Sequence, residues 1–186
     1  MRPVTLTRTD EAPDDEALIA RWQGGDERAA TALVERHAQP VARFVASLGV
    51  RDDVEEIVQD TFVRAFGSLD GFGGRSSLRT WLFTIARNLV RDRLRSTQAR
   101  REHQELDDAY AATEHGALDQ VVADETALRL KRALACLTPM QKDVFTLRVT
   151  HGLSYKDIAH VLDSTEGAAR VHYYNAMRAI QDLLND

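Results

Sequence analysis

Two groups of side chains have types and spacings that could bind or transform another molecule. The first is a cluster of acids, Asp52, Asp53, Glu55, Glu56 and Asp60. Carboxylates this close together could hold a divalent metal ion for nucleic-acid cleavage, as in a metal-dependent nuclease. Acids at the start of a helix more commonly cap it and interact favourably with its dipole. We therefore favour the capping interpretation and keep the nuclease as an alternative.

The second group is a run of positive charge. The stretch 87–101 contains six arginines, at 87, 91, 93, 95, 100 and 101, and one acidic residue, Asp92. The next stretch, 102–125, is acidic and contains neither Lys nor Arg. A basic run on an ordinary helix can also be no more than a solvated face. Because the whole chain has a net charge of −5, any nucleic-acid surface must be local.

Other residues that often carry chemistry are not arranged for it here. The glycines of 71–74 lack the Gly-Lys-Ser/Thr ending of a phosphate-binding loop. The single Cys136 cannot form an internal disulfide, and its position between leucines predicts a buried thiol. The six histidines, at 37, 103, 115, 151, 160 and 172, include no pair at metal-ligand spacing on a helix. The sequence therefore predicts no catalytic residue, no metal site and no cofactor.

Composition predicts a chain that folds in water. Its 186 residues are 44% hydrophobic, which is enough for a core, and 28% charged. No apolar run approaches the roughly 20 residues that span a bilayer, and the start lacks the basic and apolar segments of a secretion signal. We expect a cytoplasmic protein with no membrane contact of its own. Its length suits one ordinary domain or two small ones.

Apolar spacing is helical nearly throughout and predicts an all-α fold. An aspartate at 14 or 15 can cap a first helix that ends near Gln23. A second helix starts at Asp26 and ends near Gly49, despite a kink at Pro40. Asp52 and Glu55 then have capping-box spacing at the start of a third helix.

A fourth helix, capped by Ser76 or Ser77 and reaching about Arg95, has two different faces. Its core face is apolar and consists of Leu78, Leu82, Ile85 and Leu89. Its opposite face is polar or cationic and consists of Thr80, Thr84, Arg87, Arg91 and Arg95, with Trp81 and Asn88 at the boundary. Trp81 alone would more commonly be a core residue. A cationic, partly aromatic face beside a glycine-containing loop suits single-stranded nucleic acid.

The second half begins after a weakly patterned acidic stretch, 102–116, which predicts a domain boundary. Thr138, Pro139 and Gln141 have the types of a helix cap, first position and capping-box position. Ser154 and Asp157 repeat the capping pattern before a short helix. A last helix follows a tight turn, with core positions Ala169, Tyr173, Ala176 and Ile180. This arrangement predicts a helix-turn-helix, with a generic helical hairpin as the alternative.

Several stretches together point to a known family. The segments 54–66, 72–82 and 85–88 read VEEIVQDTFVRAF, FGGRSSLRTWL and IARN, and 137–145 and 152–159 read LTPMQKDVF and GLSYKDIA. The first three resemble region 2 of the bacterial extracytoplasmic-function (ECF) sigma factors. The last two, with the final helix, resemble region 4. The resemblance implies a disordered N-terminal segment at 1–13, region 2 at 14–97, a flexible linker at 98–117 and region 4 at 118–186.

The resemblance also implies which residues of region 2 make contacts. Core RNA polymerase binding is expected at Glu56, Gln59, Asp60 and Arg64. Binding of the melted −10 promoter element is expected around a pocket for a flipped base. Its expected residues are Phe72, Arg75, Ser76, Ser77, Arg79, Thr80, Trp81, Thr84, Arg87, Asn88, Arg91 and Arg95.

In region 4, the resemblance implies that the last helix reads the duplex −35 element. The expected residues are Thr165, Gly167, Ala168, Arg170, Val171, Tyr174 and Asn175. The chain departs from several relatives at Ala168, His172 and Asn175. The implied function is promoter recognition and opening without bond chemistry by this chain, under control of an anti-sigma factor. A helix-turn-helix regulator that acts without polymerase is the alternative, although it would need no exposed docking face near Gln59.

Overall fold

The computed structural model describes residues 13–50, 52–104 and 133–185, and every regular element among them is helical. Its contacts divide the chain into two units, Met1–Gln39 and Pro40–Asp186. The α-helices are α1 (Asp15–Gln23), α2 (Glu27–Ser47), α3 (Val54–Ser68), α4 (Leu78–Gln104), α5 (Pro139–Phe145), α6 (Tyr155–Leu162) and α7 (Glu166–Asn185). Short turns of other helix types follow α3 at Leu69–Gly71 and α5 at Thr146–Thr150. The all-α prediction is confirmed.

The first unit is held by polar contacts around Asp15. Asp14 caps α1 by accepting a hydrogen bond from the Ala17 amide at 2.8 Å, as expected. One carboxylate oxygen of Asp15 lies 2.7 Å from the Arg36 guanidinium, and the other lies 2.9 Å from Nε2 of the buried His37. Burial acts to raise the pKa of Asp15, but these hydrogen bonds lower it overall. The contacts tie the start of α1 to the first half of α2.

Helices α3 and α4 pack against each other within the second unit. Phe44 stacks on Phe83 with ring centroids 4.7 Å apart, and both side chains are fully buried.

Helix α2 continues through Pro40 to Ser47, and Gly49 follows with a φ of +91°, a conformation that suits glycine. The capping box expected between Asp52 and Glu55 is wrong, because α3 begins after Asp53 without a side-chain cap.

Helices α5 to α7 begin where local sequence indicates. Thr138 and Gln141 form the expected capping box, with both reciprocal hydrogen bonds present. Ser154 caps α6 by accepting from the Asp157 amide at 3.1 Å. Asp163 closes α6 in a left-handed conformation with a φ of 52°, and α7 follows after a short turn. The predicted helix-turn-helix is therefore formed by α6 and α7.

Two details differ from expectation. Cys136 is exposed, so the prediction of a buried thiol is wrong. Helix α4 continues to Gln104, past the expected end near Arg95. Within the described residues, no helix combines the length and apolar character needed to cross a bilayer.

Candidate nucleic-acid interface

The polar face of α3 is built from side chains that the buried face leaves outside. Ile57, Thr61, Phe62 and Ala65 are buried, whereas Glu56, Gln59 and Arg64 are exposed and Asp60 is half-buried. This pattern follows the helical period. The four predicted docking residues thus share one accessible side of α3.

Arg93 of α4 reaches across to the acids of this face. Its guanidinium lies 2.6 Å from Glu56, 3.3 Å from Asp60 and 3.3 Å from Asp53. The hydrogen bond from Arg93 holds the pKa of Glu56 below its usual value. The free chain therefore presents this face with part of its negative charge already paired.

Sequence reasoning counted Arg93 only as one arginine of the basic run. A signal was available, because Arg93 continues the buried series Leu82, Ala86 and Leu89 at helical spacing. A cation at the end of an apolar stripe, opposite a helix that starts with acids, is placed to pair with them.

The loop before α4 brings two aromatic side chains together. Phe72 and Trp81 are half-buried, and their ring centroids lie 5.0 Å apart at an interplanar angle of 39°. Between them, Gly74 has a φ of +63°, which lets the chain turn back towards α4. The exposed Arg75 and Ser77 and the half-buried Ser76 line the same loop. The arrangement offers an accessible aromatic surface next to cations.

Thr80 is not part of that accessible surface. It is only 1% exposed, and its hydroxyl hydrogen-bonds to the Ser77 hydroxyl at 2.8 Å. Ser77 also accepts from the Thr80 amide at 3.1 Å and so caps α4. The prediction that Thr80 lies on the exposed face is wrong, because its side chain is buried. Its hydroxyl stabilises the start of the helix instead.

The other predicted residues of the cationic face differ in exposure. Arg91 and Arg95 are exposed, whereas Thr84, Arg87 and Asn88 are half-buried. Arg79 is also half-buried, its guanidinium lies 5.7 Å from the centre of the Phe83 ring, and its Nε is buried without a hydrogen-bond partner among the described residues. Among the arginines of α4 whose side chains the structure describes, those most available to a phosphate backbone are therefore Arg91 and Arg95.

His151, in the segment before α6, is buried against aromatic rings of α2 and α4. Its ring meets Phe83 edge-on at 4.8 Å and Phe44 at 5.9 Å. Its Nε2 is buried and has no hydrogen-bond partner in the described part of the chain. Burial, helped by the positive charges of Arg79 and Arg43, lowers the pKa of His151 to about 4. The imidazole is therefore neutral near pH 7.

Asp143 on α5 shows the opposite effect. Burial raises the pKa of its carboxyl to about 6, and the charges of Arg87 and Lys142 oppose that rise without cancelling it. Sequence reasoning missed both Asp143 and His151, because the environment of each depends on residues of other elements.

The exposed side of α7 carries the residues expected to read duplex DNA. Val171 and Tyr174 are 57% and 66% exposed. Arg170, Asn175, Gly167 and Thr165 are also exposed, and Ala168 is half-buried. The Thr165 hydroxyl accepts from the Ala168 amide at 3.1 Å, so it caps α7.

Two contacts hold Arg170 in the free chain. Its guanidinium pairs with the carboxylate of Glu166, one turn earlier on α7. It also lies 5.1 Å from the centre of the Tyr155 ring at the start of α6. Nothing in the local sequence pattern singled out Tyr155, because this contact joins two helices.

Metal-ligating side chains do not converge in the described segments, where no group of three or more His, Cys, Asp or Glu could hold an ion. The acids at the start of α3 pair with Arg93 instead.

Comparisons with known proteins match both halves of the chain. Residues 33–101 match the family model of Sigma-70 region 2, and residues 127–180 match that of Sigma-70, region 4. The ECF RNA polymerase sigma-E factors of Escherichia coli (strain K12) and Salmonella typhimurium (strain LT2) are each 33% identical over 178 residues. These alignments cover 90% of this chain and 93% of each relative. The sigma-E factor of Haemophilus influenzae is 30% identical over 179 residues, with 91% of this chain and 95% of the relative covered.

Solved structures agree with these relatives. The sigma factor RpoE from Bartonella quintana, in complex with the anti-sigma factor NepR, is 26% identical with a TM-score of 0.65, covering 83% of this chain and 96% of that one. CnrH in complex with the cytosolic domain of CnrY is 29% identical with a TM-score of 0.65, covering 92% and 97%. Two family regions in order, and relatives aligned over nine-tenths of the chain, lead to one conclusion: this chain belongs to the ECF sigma factor family.

Proposed function

We propose that this chain binds core RNA polymerase, recognises the −35 and −10 promoter elements and promotes DNA melting at the start of transcription. The observation that carries the proposal is the presence of both sigma regions, in order, on one chain. A regulator that acts without polymerase would need the helix-turn-helix alone. It would have no use for a matched region 2 with an accessible polar face on α3.

Polymerase docking is assigned to the face of Glu56, Gln59, Asp60 and Arg64 on α3. These side chains are accessible, and Arg93 already orients two of the acids. Charged rims of interfaces mainly set partner choice and association rate. We infer that the face supplies specificity for a partner with complementary basic and polar groups, and that Arg93 keeps the carboxylates in position for it.

Recognition of the melted −10 element is assigned to the loop 72–77 and the exposed side of α4. Extrusion of a base costs a few kcal/mol, whereas stacking on an aromatic side chain contributes about 1–3 kcal/mol per base. The Phe72 and Trp81 rings offer such a surface, and Arg91 and Arg95 can follow the phosphates. Stacking and phosphate contacts together offset the cost of holding one base outside the helix. Thr80 is left out of this assignment because it is buried.

Recognition of the −35 element is assigned to α7, which enters the major groove as the second helix of the helix-turn-helix. Arg170 can meet a guanine edge through two hydrogen bonds, and Val171 and Tyr174 present apolar surface to bases or sugars. Thr165, Gly167, Ala168 and Asn175 complete the proposed contact surface. No bond is made or broken by this chain in the proposal, because polymerase performs the chemistry.

Domain limits, location and control complete the proposal. We assign region 2 to 14–97, a linker to 98–117 and region 4 to 118–186, with action in the cytoplasm. The start of the assigned linker, 98–104, continues helix α4, so the expectation of a flexible linker is wrong for these residues. The rest of the linker and almost all of the proposed disordered segment 1–13 lie outside the described residues. The Bartonella relative was solved with an anti-sigma factor. We infer that a protein of this kind also occludes the present chain.

The test is run-off transcription with core polymerase on a library of promoter fragments. We expect the purified chain to select fragments that share a −35 and a −10 element at fixed spacing.

Asp60→Lys should reduce polymerase binding at least several-fold, since it reverses a charge in the docking face and repels Arg93. Glu35→Lys, the same charge change at an exposed position of α2, is the matched control and should bind like wild type.

Either of two results would contradict the proposal. One is selection of duplex sites by the isolated chain with no dependence on polymerase, which would favour the regulator. The other is equal polymerase binding by wild type and by Asp60→Lys, when circular dichroism shows the same helical content for these two proteins.

A further inference from the structure

The ring of Tyr155 lies between two helices and contacts two guanidinium groups. Arg148, on the turn after α5, lies 4.8 Å from the ring centre, and Arg170 of α7 lies 5.1 Å from it. Tyr173 of α7 meets the same ring edge-on at 5.9 Å. Cations within about 6 Å of a tyrosine ring centre are attracted by its π-electrons. Tyr155 thus joins the first helix of the helix-turn-helix to the side chain proposed to read a base on the second.

The ring is itself held in place. Tyr155 is half-buried at the first position of α6, directly after the cap residue Ser154. Arg148 donates a hydrogen bond from Nη1 to the Leu153 carbonyl at 2.7 Å, which fixes its guanidinium beside the ring. The platform beneath Arg170 is therefore a part of the packed module and not a free surface side chain.

Arg170 would otherwise be a mobile group. It is exposed, and its nearest charged partner is Glu166 on the same helix. An exposed arginine that must adopt one geometry to meet a base edge loses side-chain entropy on binding, and prior ordering of the side chain reduces that loss. The Glu166 carboxylate orders the guanidinium from the helix side, and the Tyr155 ring orders it from the neighbouring helix.

We propose that Tyr155 is a positioning residue for −35 recognition: its ring holds Arg170 in the geometry in which it reads a base edge. The proposal rests on the proposed function of α7. It predicts an effect on base preference rather than on overall DNA affinity, because the ring acts through Arg170. Tyr155 itself needs no contact with DNA.

The test uses holoenzyme reconstituted from the full chain and core polymerase, with a set of single-base variants of the −35 element. Arg170→Ala should lower discrimination at one base position by about 5- to 150-fold, the range of a bidentate base contact. Tyr155→Leu should lower discrimination at that same position by about two- to fivefold, the range of an exposed cation–π contact. Tyr155→Phe keeps the ring and should retain wild-type discrimination.

A double variant separates positioning from a general effect on folding. If Tyr155 acts only through Arg170, Tyr155→Leu should lower discrimination no further when Arg170→Ala is already present. A further loss in that background would overturn the proposal. So would normal discrimination by Tyr155→Leu while Arg170→Ala loses it.

Failure of the underlying assignments has different signatures. If Arg170→Ala keeps full discrimination, Arg170 does not read a base, and the proposed role of Tyr155 in positioning it is refuted as well. If the wild-type holoenzyme itself shows no preference among −35 variants, the proposed function of α7 fails. Thermal unfolding of Tyr155→Leu and Tyr155→Phe should agree within a few degrees, and a large loss in Tyr155→Leu alone would favour a purely structural role.

Discussion

Acidification should weaken the packing around His151 by a measurable amount. The ring is 5% exposed, and burial against Phe44 and Phe83 lowers its pKa to about 4 from an ordinary 6.5. As the pH falls below about 6.5, the His151 imidazole binds a proton in the unfolded chain, where it is exposed, before it does so in the folded protein, where it is buried. The stabilising contribution of the neutral ring is therefore complete above pH 6.5 and is lost as the pH falls towards 4. At about 1.4 kcal/mol per pKa unit, the loss amounts to about 3 kcal/mol.

Asp143 should act in the opposite direction over nearly the same range. Its pKa is raised to about 6 from an ordinary 3.8, so the folded state keeps its proton longer as the pH rises. The stabilising contribution is present below pH 3.8 and is lost as the pH rises through 6, and it too is about 3 kcal/mol at most. The arginines that face the two groups stay charged throughout and add no slope. In the wild type the two contributions therefore largely cancel between pH 4 and 6.

The assay is urea unfolding at a series of pH values from 4 to 7.5. Relative to wild type, His151→Leu should gain about 3 kcal/mol of unfolding free energy as the pH falls from 7.5 to 4. Asp143→Asn should lose a similar amount relative to wild type over the same fall. Taking differences from wild type removes the contributions of all shared carboxylates.

His160→Gln is the matched control, because His160 is an exposed histidine on α6. This variant removes a histidine but leaves the buried contacts of His151 with Phe44 and Phe83 intact. The reasoning is refuted if His151→Leu keeps a constant offset from wild type at every pH. It is refuted equally if the slope has the opposite sign.

Two further predictions concern capping and phosphate contacts. Thr138→Ala should lower the free energy of unfolding by about 1 kcal/mol, because it removes one half of the capping box of α5. Urea denaturation measures this free energy, and an unchanged value would contradict the capping role. Arg91→Ala should weaken holoenzyme binding to all promoters alike and lower the slope of log affinity against log salt by about one, because Arg91 is exposed and is expected to pair with a phosphate. A changed base preference at −35 would show that Arg91 is not merely an anchor.

Local sequence predicted most helix starts correctly. Asp14, Thr138 with Gln141, and Ser154 all cap the helices expected of them. A cap is a contact between residues two or three positions apart, so its partners are visible in the sequence itself. The same logic failed at Asp52 and Glu55, because adjacent aspartates offer alternative starts and the chain begins α3 after Asp53.

Long-range packing decided what periodicity could not. A single core stripe was expected on α4, but this helix packs against both α3 and α6. Thr80 and Phe83 are both buried, and Phe83 packs against Phe44 of α2 and His151, whereas Ile85 of the expected stripe is only half-buried. Cys136 was expected to be buried because leucines lie on either side of it in the sequence, but it is exposed. Neighbouring leucines indicate that an apolar side exists, but they do not show how far that side extends.

The family and the broad role were determined by the sequence, because two motifs in order identify both regions before any coordinate is known. The tertiary structure alone decided how the proposed site is supported. Arg93 pairs with Glu56, which lies 37 residues earlier in the chain, and with Asp60, which lies 33 residues earlier. Tyr155 holds Arg170 from another helix, and His151 packs edge-on against the stacked rings of Phe44 and Phe83. Each of these contacts joins residues on different elements. Their energies depend on distance and burial in three dimensions, which spacing along the chain does not specify.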